Sequence, residues 1–202
     1  MSDDIDQQQV ADPQAGGPTA VPLPPRAQAL IRAVVETEAH VALEGWDAPA
    51  RVFALVRTAA ALAIDPDLAE LLDQETLDLA RTDPELLTVV EQEDLPAAGD
   101  LEELLDQIAW PDSVDGAVIS AERVMLPPAA QQEAEAIDDP HELQAFLASR
   151  SDREDIRIVV GVLRSGESWC ALRSRSHDSP GEVYQGTLLV PGLVEALGAT
   201  FL

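Results

Sequence analysis

The stretch from Asp155 to Ser176 constrains the fold more than any other part of the chain. It reads DIRIVVGVLRSGESWCALRSRS, in which two runs of β-branched and apolar residues flank Ser165-Gly166. Such runs around a Ser-Gly pair are typical of a β-hairpin. We therefore expect the chain to contain at least one pair of antiparallel strands.

The length of the hairpin loop decides which side chains share a face, because successive side chains of a strand point to opposite faces. A two-residue loop, Ser165-Gly166, would pair Arg173 with Ile158 and mix charged with apolar side chains. A three-residue loop, residues 165–167, separates the two kinds, and we favour it. One face then carries Ile158, Val160, Val162, Cys170, Leu172 and Ser174, and the other carries Arg157, Trp169, Arg173 and Arg175.

The arginine and tryptophan face has two interpretations. If the four side chains are exposed together, they form a surface for a protein partner. Alternatively, the arginines form ion pairs with carboxylates of the protein itself, which has 38 acidic residues and only 12 cationic ones. Charged side chains that leave the solvent normally do so in such pairs.

The composition excludes some partners and favours others. The net charge of −26 repels nucleic acid and anionic membrane surfaces, and it favours basic partners. A hydrophobic content of 46% with only 3% aromatic residues predicts a core of Leu, Val, Ile and Ala. Neither lysine nor asparagine occurs, which indicates a GC-rich genome or, alternatively, adaptation to high salt.

The chain divides into a tail and one domain. Residues 1–24 are polar and then rich in Gly and Pro, so we expect a mobile tail, followed by a single domain over residues 25–202. The acidic start, MSDDIDQQQ, is unlike a signal peptide, and no apolar run approaches the roughly 20 residues of a membrane span. Because a single cysteine cannot form an internal disulfide, these features predict a cytoplasmic protein.

The remaining periodicities predict an α+β protein. Strands are expected at about residues 50–57, 86–93 and 116–126 as well as in the hairpin, with loops over 127–139 and 177–186. Helix starts are expected at Pro25, Thr58, Asp65-Pro66, Asp100, Asp139 and Pro191. The predicted architecture is an antiparallel or mixed sheet of about five strands, with helices packed mainly on one face.

No familiar catalytic motif is present in the sequence. Trp110-Pro111-Asp112 is similar to the acid loop of tyrosine phosphatases, but that family also needs an arginine six positions after its cysteine, and position 176 is serine. Cys170 is expected to be inert within the core. One cysteine and three scattered histidines do not form a zinc site, and phosphate-binding glycine loops and a GxSxG elbow are absent. We therefore predict no catalytic, cofactor or metal residues, and a function that is non-enzymatic rather than enzymatic.

Several short segments, taken together, resemble a known family. They are residues 45–56, 90–96, 108–112, 122–128, 178–180 and 189–193, which include Gly45-Trp46-Asp47, Glu122-Arg123 and Asp178-Ser179-Pro180. The combination is similar to a family of conserved, uncharacterised acidic proteins of actinobacteria of about this length. The resemblance covers about residues 26–202 and implies an actinobacterial cytosolic protein. It supplies no activity and therefore no catalytic residues.

Two hypotheses for the function come from different classes. The first is an adaptor or chaperone-like module that holds a protein partner on its sheet or on the arginine and tryptophan face. The second is a small-molecule sensor or enzyme with a pocket lined by Trp46, Trp110 and carboxylates of the loops. Both tryptophans adjoin predicted element ends, where a ring can cover the edge of a core or anchor an interface. A homodimer formed through an exposed strand is a third possibility.

Overall fold

The computed structural model describes residues 22–202. Its strands are β1 (Arg51–Arg57), β2 (Leu87–Glu91), β3 (Gly116–Met125), β4 (Glu154–Leu163), β5 (Ser168–Ser174) and β6 (Tyr184–Gly186). Its α-helices are α1 (Pro25–Ala42), α2 (Thr58–Ile64), α3 (Gln74–Thr82), α4 (Leu101–Asp106), α5 (Pro128–Glu135), α6 (Pro140–Ser149) and α7 (Pro191–Ala199). Short 3₁₀ helices follow α2, β5 and the loop at 178–179.

All strand pairs of the sheet are antiparallel, and the spatial order is β2-β1-β3-β4-β5-β6. The predicted α+β class and antiparallel sheet are thus confirmed, with six strands where about five were expected. The additional strand is β6, inside a segment that the sequence predicted to be a loop. Its three residues are too few to show an alternation of apolar and polar side chains.

Helices pack on both faces of the sheet, not mainly on one. Leu30 and Val34 of α1 pack against one face. Leu104 of α4 and Leu197 of α7 pack against the other face. The reason lies in the central strands. In β3, the side chains that point to either face of the sheet are apolar and fully buried, namely Ala117, Val118 and Ile119. A strand with two apolar faces needs a covering layer on each side.

The hairpin of β4 and β5 has the predicted faces but a different loop. Val160 pairs with Cys170, and Arg157 pairs with Arg173. Leu163 donates its backbone N–H to the carbonyl of Glu167, so the loop is residues 164–166 and not 165–167. Its last residue, Gly166, has a φ of 103°, the left-handed conformation that closes a three-residue hairpin loop.

Helix boundaries follow the capping signals where those are clear. Asp100 and Asp139 accept backbone hydrogen bonds as the N-caps of α4 and α6, as predicted. The expected loop at 127–139 instead contains α5, for which Pro128 provides the first helical residue. The helix expected at Asp65-Pro66 is a 3₁₀ helix, and α3 begins after Asp73.

The predicted tail, residues 1–24, lies outside the described residues except for its last three positions. Within residues 22–202, no helix combines the length and the apolar character that crossing a membrane requires.

Candidate functional site

The structure gathers charged side chains at one end of the sheet, on the face that α1 covers. Arg157 of β4 and Arg173 of β5 lie opposite each other and are 2% and 4% exposed. They are held by three carboxylates from other parts of the chain, Glu38, Glu122 and Asp178. We call this group the arginine cluster; it consists of Arg157, Arg173, Arg175, Glu38, Glu122, Asp47, Asp155, Asp178 and Trp46.

Arg173 forms the most deeply buried ion pair of the cluster. Its Nε and Nη2 donate to the two carboxylate oxygens of Glu38 at 2.5 and 2.8 Å, and Nη1 donates to Oδ1 of Asp178 at 3.1 Å. The side chains of Arg173 and Glu38 are each 5% exposed. Two-point contact of this kind satisfies a buried guanidinium and fixes its orientation. Neutralisation by Glu38, and in addition by Asp178, raises the pKa of Arg173.

Arg157 is held by a carboxylate, a carbonyl and an aromatic ring. Its Nη2 donates to Glu122 at 2.9 Å and also to the carbonyl of Gly45. The guanidinium carbon lies 4.4 Å from the centre of the Trp46 ring. Nη1 is buried and has no hydrogen-bond partner within residues 22–202. The negative face of the indole therefore supplies part of the stabilisation that this charge requires.

Trp46 contacts two guanidinium groups, because the guanidinium carbon of Arg175 lies 5.5 Å from the centre of the same ring. Arg175 makes a two-point ion pair with Asp47, at 2.9 and 2.8 Å, and a further contact with Asp155 at 3.2 Å. Asp47 has a φ of 70°, in the left-handed region. Trp46 also donates its Nε1–H to Asp178 at 2.9 Å, which connects the aromatic ring to the Arg173 pair.

The structure shows how far the arginine and tryptophan face is exposed and how its arginines are paired. The prediction that its side chains are exposed together is wrong. Arg157 is buried against Trp46 and Arg173 against Glu38 of α1, and only Arg175 of the four is substantially exposed. The alternative, ion pairing with the protein's own carboxylates, is confirmed for all three arginines. Trp169 is half-buried against the core under α1, and its Nε1 is buried without a partner among residues 22–202.

Trp110 belongs to a different part of the molecule. Its ring stacks on Phe201 at 6.2 Å and donates a hydrogen bond to Thr200, and its carbonyl accepts from Arg164. Trp46 contacts Arg157 at the other end of β4. Seven residues of strand correspond to about 23 Å, at roughly 3.3 Å per residue. The structure therefore does not bring Trp46 and Trp110 together in one pocket.

A cavity of about 440 Å³ adjoins the arginine cluster. It lies between the second half of α1 and the β5–β6 side of the sheet. Its charged lining consists of Glu38, Arg173 and Asp178, and its apolar lining includes Val35, Ala39, Ala42 and Val183. A concave apolar site with a few converging polar groups is the arrangement that small ligands generally occupy.

A second candidate site lies at the opposite edge of the sheet, along β2. The N–H of Gln92 donates to the carbonyl of Val52 in β1, and the carbonyl of Leu86 accepts from the N–H of Thr58, the residue after β1. Because bonding direction alternates along an antiparallel strand, the backbone groups of Leu87, Val89 and Glu91 point away from the sheet. Within residues 22–202, β2 has a strand neighbour on one side only.

A groove of about 360 Å³ runs beside β2, between that strand, α1 and the start of α3. Phe53, Leu72 and Val89 supply apolar lining, and Glu36 and Glu91 supply carboxylates. Arg51, which lies over the ring of Phe53, is shared between Glu91 and Glu44. The groove is therefore apolar at its base and negatively charged overall.

The described residues contain neither a group of metal ligands nor an exposed thiol. Within residues 22–202, no three His, Cys, Asp or Glu side chains are grouped so that they could hold a metal ion. Cys170 is fully buried in the core, with its Sγ 3.8 Å from the carbonyl of Thr187.

The arginine cluster makes stability sensitive to acid through Asp178. The hydrogen bond from Trp46, and then the hydrogen bond and charge of Arg173, lower the pKa of Asp178 in spite of its desolvation. A carboxylate with a lowered pKa stabilises the folded state above its unfolded pKa, about 3.9, and this stabilisation is lost as the pH falls through the folded value. Stability at neutral pH therefore includes a contribution that Asp178→Asn removes.

We expect urea unfolding to show wild type more stable than Asp178→Asn at pH 7, with the difference shrinking between pH 5 and pH 3. Asp106→Asn is the control, because Asp106 is exposed and forms no ion pair within the described part of the chain. A difference between wild type and Asp178→Asn that stays constant from pH 7 to pH 3 would contradict this prediction.

The fold and the cluster together define a class of protein. It is an α+β domain whose six-stranded antiparallel sheet is covered by helices on both faces and carries a buried arginine cluster at one end. Gly45-Trp46-Asp47, Glu122 and Asp178, which come from three of the segments that carried the family resemblance, meet in this cluster. The chain belongs to the PPA1309-like protein family, whose profile matches residues 30–202. No curated protein and no solved structure matches the chain.

Proposed function

We propose that this protein is a non-enzymatic interaction module, an adaptor or chaperone-like protein that binds an extended, basic segment of a partner protein along β2. The observation that carries the proposal is the outward-pointing backbone of β2 beside an acidic groove. Extended segments bind such edges through backbone hydrogen bonds, and pockets for alternate side chains provide selectivity.

Charge determines which kind of segment fits. Ten of the twelve arginines form ion pairs with the protein's own carboxylates, so few cations remain to offset the net charge of −26. A second copy of the chain would bring the same charge to the edge, and repulsion opposes that pairing. A segment with Lys or Arg at alternate positions can pair with β2 and place its cations near Glu36 and Glu91.

The test uses an eight-residue peptide in which lysine and valine alternate, with a matched peptide of glutamate and valine. We expect the lysine peptide to bind at least tenfold more tightly in fluorescence anisotropy and to weaken as salt is added, because the charges are exposed. Amide hydrogen exchange at Leu87, Val89 and Glu91 should slow when the lysine peptide is present.

Two variants examine the backbone and the charge separately. Val89→Pro removes an N–H that points away from β1, so it should abolish peptide binding without removing a hydrogen bond of the sheet. Glu36→Lys should weaken binding several-fold, whereas Glu102→Lys, an exposed change on α4, is the matched control. Equal binding of the two peptides, or a β2-dependent dimer in light scattering, would contradict the proposal.

A small-molecule sensor or an enzyme is the second candidate function. The cavity beside Glu38, Arg173 and Asp178 favours it. The lack of lysine and asparagine supports an actinobacterial origin, and the acidic, cysteine-poor sequence supports a cytoplasmic location; we include both in the proposal.

A further inference from the structure

The cavity beside the arginine cluster has an excess of negative charge in its lining. Two carboxylates, Glu38 and Asp178, contact one guanidinium, Arg173, so the group carries one uncompensated negative charge. In the count of formal charges, Arg157 and Arg175 are balanced by their own partners, Glu122 and Asp47. The excess charge therefore faces a partly enclosed space.

Both carboxylates retain acceptor capacity. Each oxygen of Glu38 accepts one hydrogen bond from Arg173, and the two oxygens of Asp178 accept one each, from Arg173 and Trp46. A carboxylate has about four acceptor positions, so each of these two can accept further donors. Asp178 is 44% exposed at the mouth, whereas Glu38 is buried inside.

The rest of the lining suits an aliphatic body rather than a second charge. Val35, Ala39 and Ala42 present one side of α1, and Val183 lies across from them. These residues belong to the second half of α1, where the helix dipole is negative and attracts cations. Apolar walls and a negative group at one end match an amphiphilic cation.

We propose that this cavity binds an organic cation, a primary ammonium group on a short alkyl chain. The ammonium donates to Asp178 and Glu38, and the chain packs against Val35 and Val183. The volume of about 440 Å³ is within the range of small-molecule sites. This site is separate from the β2 edge, so either proposal can fail alone.

A primary ammonium group on a short alkyl chain occurs both in free amines and in the side chain of lysine. Pentylammonium represents the free amine, and N-acetyl-lysine methylamide represents a lysine within a protein. Tighter binding of pentylammonium assigns the site to a metabolite amine. Equal or tighter binding of the capped lysine assigns it to a partner's side chain. Each of these outcomes supports a cation site.

The experiment is a titration of the full chain followed by ¹H–¹⁵N NMR. We expect pentylammonium to cause saturable shifts at Ala39, Ala171 and Val183, and we expect hexanoate and 1-hexanol to cause none at equal concentration. Asp178→Asn should weaken binding about tenfold, as the loss of one well-placed charge interaction. Ala39→Leu, which fills the cavity from an exposed helical position, should abolish the shifts, and Asp106→Asn should leave them unchanged.

Two results would overturn the proposal. One is binding of hexanoate or 1-hexanol as strong as that of pentylammonium, which would show a site without charge selection. The other is the absence of saturable shifts at the three reporting amides with either cation. The spectra of the variants also establish that they fold, so a failed fold cannot be mistaken for lost binding.

Discussion

Replacing Arg173 with methionine is expected to destabilise the protein by about 3–5 kcal/mol, since the substitution leaves the Glu38 carboxylate buried without its partner. Methionine retains much of the apolar stem of arginine but supplies no donor. Urea unfolding followed by circular dichroism measures the change. This loss is a large fraction of the stability of a typical domain.

The double variant Arg173→Met/Glu38→Met distinguishes the ion pair from simple packing. Replacing both charges with apolar side chains of similar size is often nearly neutral, so the double variant should recover most of the lost stability. Arg81→Met is the matched control: Arg81 pairs with Asp78 on the surface of α3 and is 69% exposed, and its loss should cost less than about 1 kcal/mol. Equal losses in the Arg173 and Arg81 variants would show that the buried pair has no special role.

The same pair shows what the sequence could and could not predict. Glu38 occupies a position of the apolar stripe of α1, with Leu30, Val34 and Val41. A carboxylate at such a position predicts a buried charge that needs a cation, and this signal could have indicated Glu38 as the partner of an arginine. No local pattern identifies which arginine it contacts, because Glu38 and Arg173 are 135 residues apart.

The hairpin shows why face and register are not equally predictable. Shifting the pairing by two residues leaves every side chain on the same face, so alternation of apolar and charged residues cannot separate a loop at 165–167 from one at 164–166. The left-handed conformation of Gly166 decides between them, since it belongs at the last position of a three-residue loop. Turn chemistry would therefore have corrected the register.

The prediction that the arginine and tryptophan face is exposed failed for a different reason. The sequence correctly placed Arg157, Trp169 and Arg173 on one face of the hairpin, but nothing in those residues shows which helix covers that face. Because β4 and β5 are central enough to be covered on both sides, α1 packs over the charged face and brings Glu38 with it. The candidate sites, the β2 edge and the cavity, depend on the same long-range packing and left no motif in the sequence.

The second large effect is expected at Gly161, where α1 approaches β4 most closely. A Cβ at this position would lie 2.4 Å from Val34 Cγ2 and 3.0 Å from Leu30 Cδ1. Valine flanks Gly161 on both sides, as Val160 and Val162, and is a natural choice in a strand. Gly161→Val should nevertheless destabilise by about 3 kcal/mol because the core is overpacked. Urea unfolding again measures the loss.

The milder change Gly161→Ala provides the mechanistic test. If the cost arises from contact with Val34, combining Gly161→Ala with Val34→Ala should cost less than the sum of the two single changes, because the removed methyl groups make room for the new one. Gly181→Ala is the control, since nothing lies within 4 Å of its added Cβ, and its effect should stay within about 0.5 kcal/mol. Additive losses in the double variant would mean that Gly161 is needed for its backbone and not for the approach of α1. A non-additive result would show that α1, which supplies Glu38 to the arginine cluster, can pack this closely on β4 because Gly161 has no side chain.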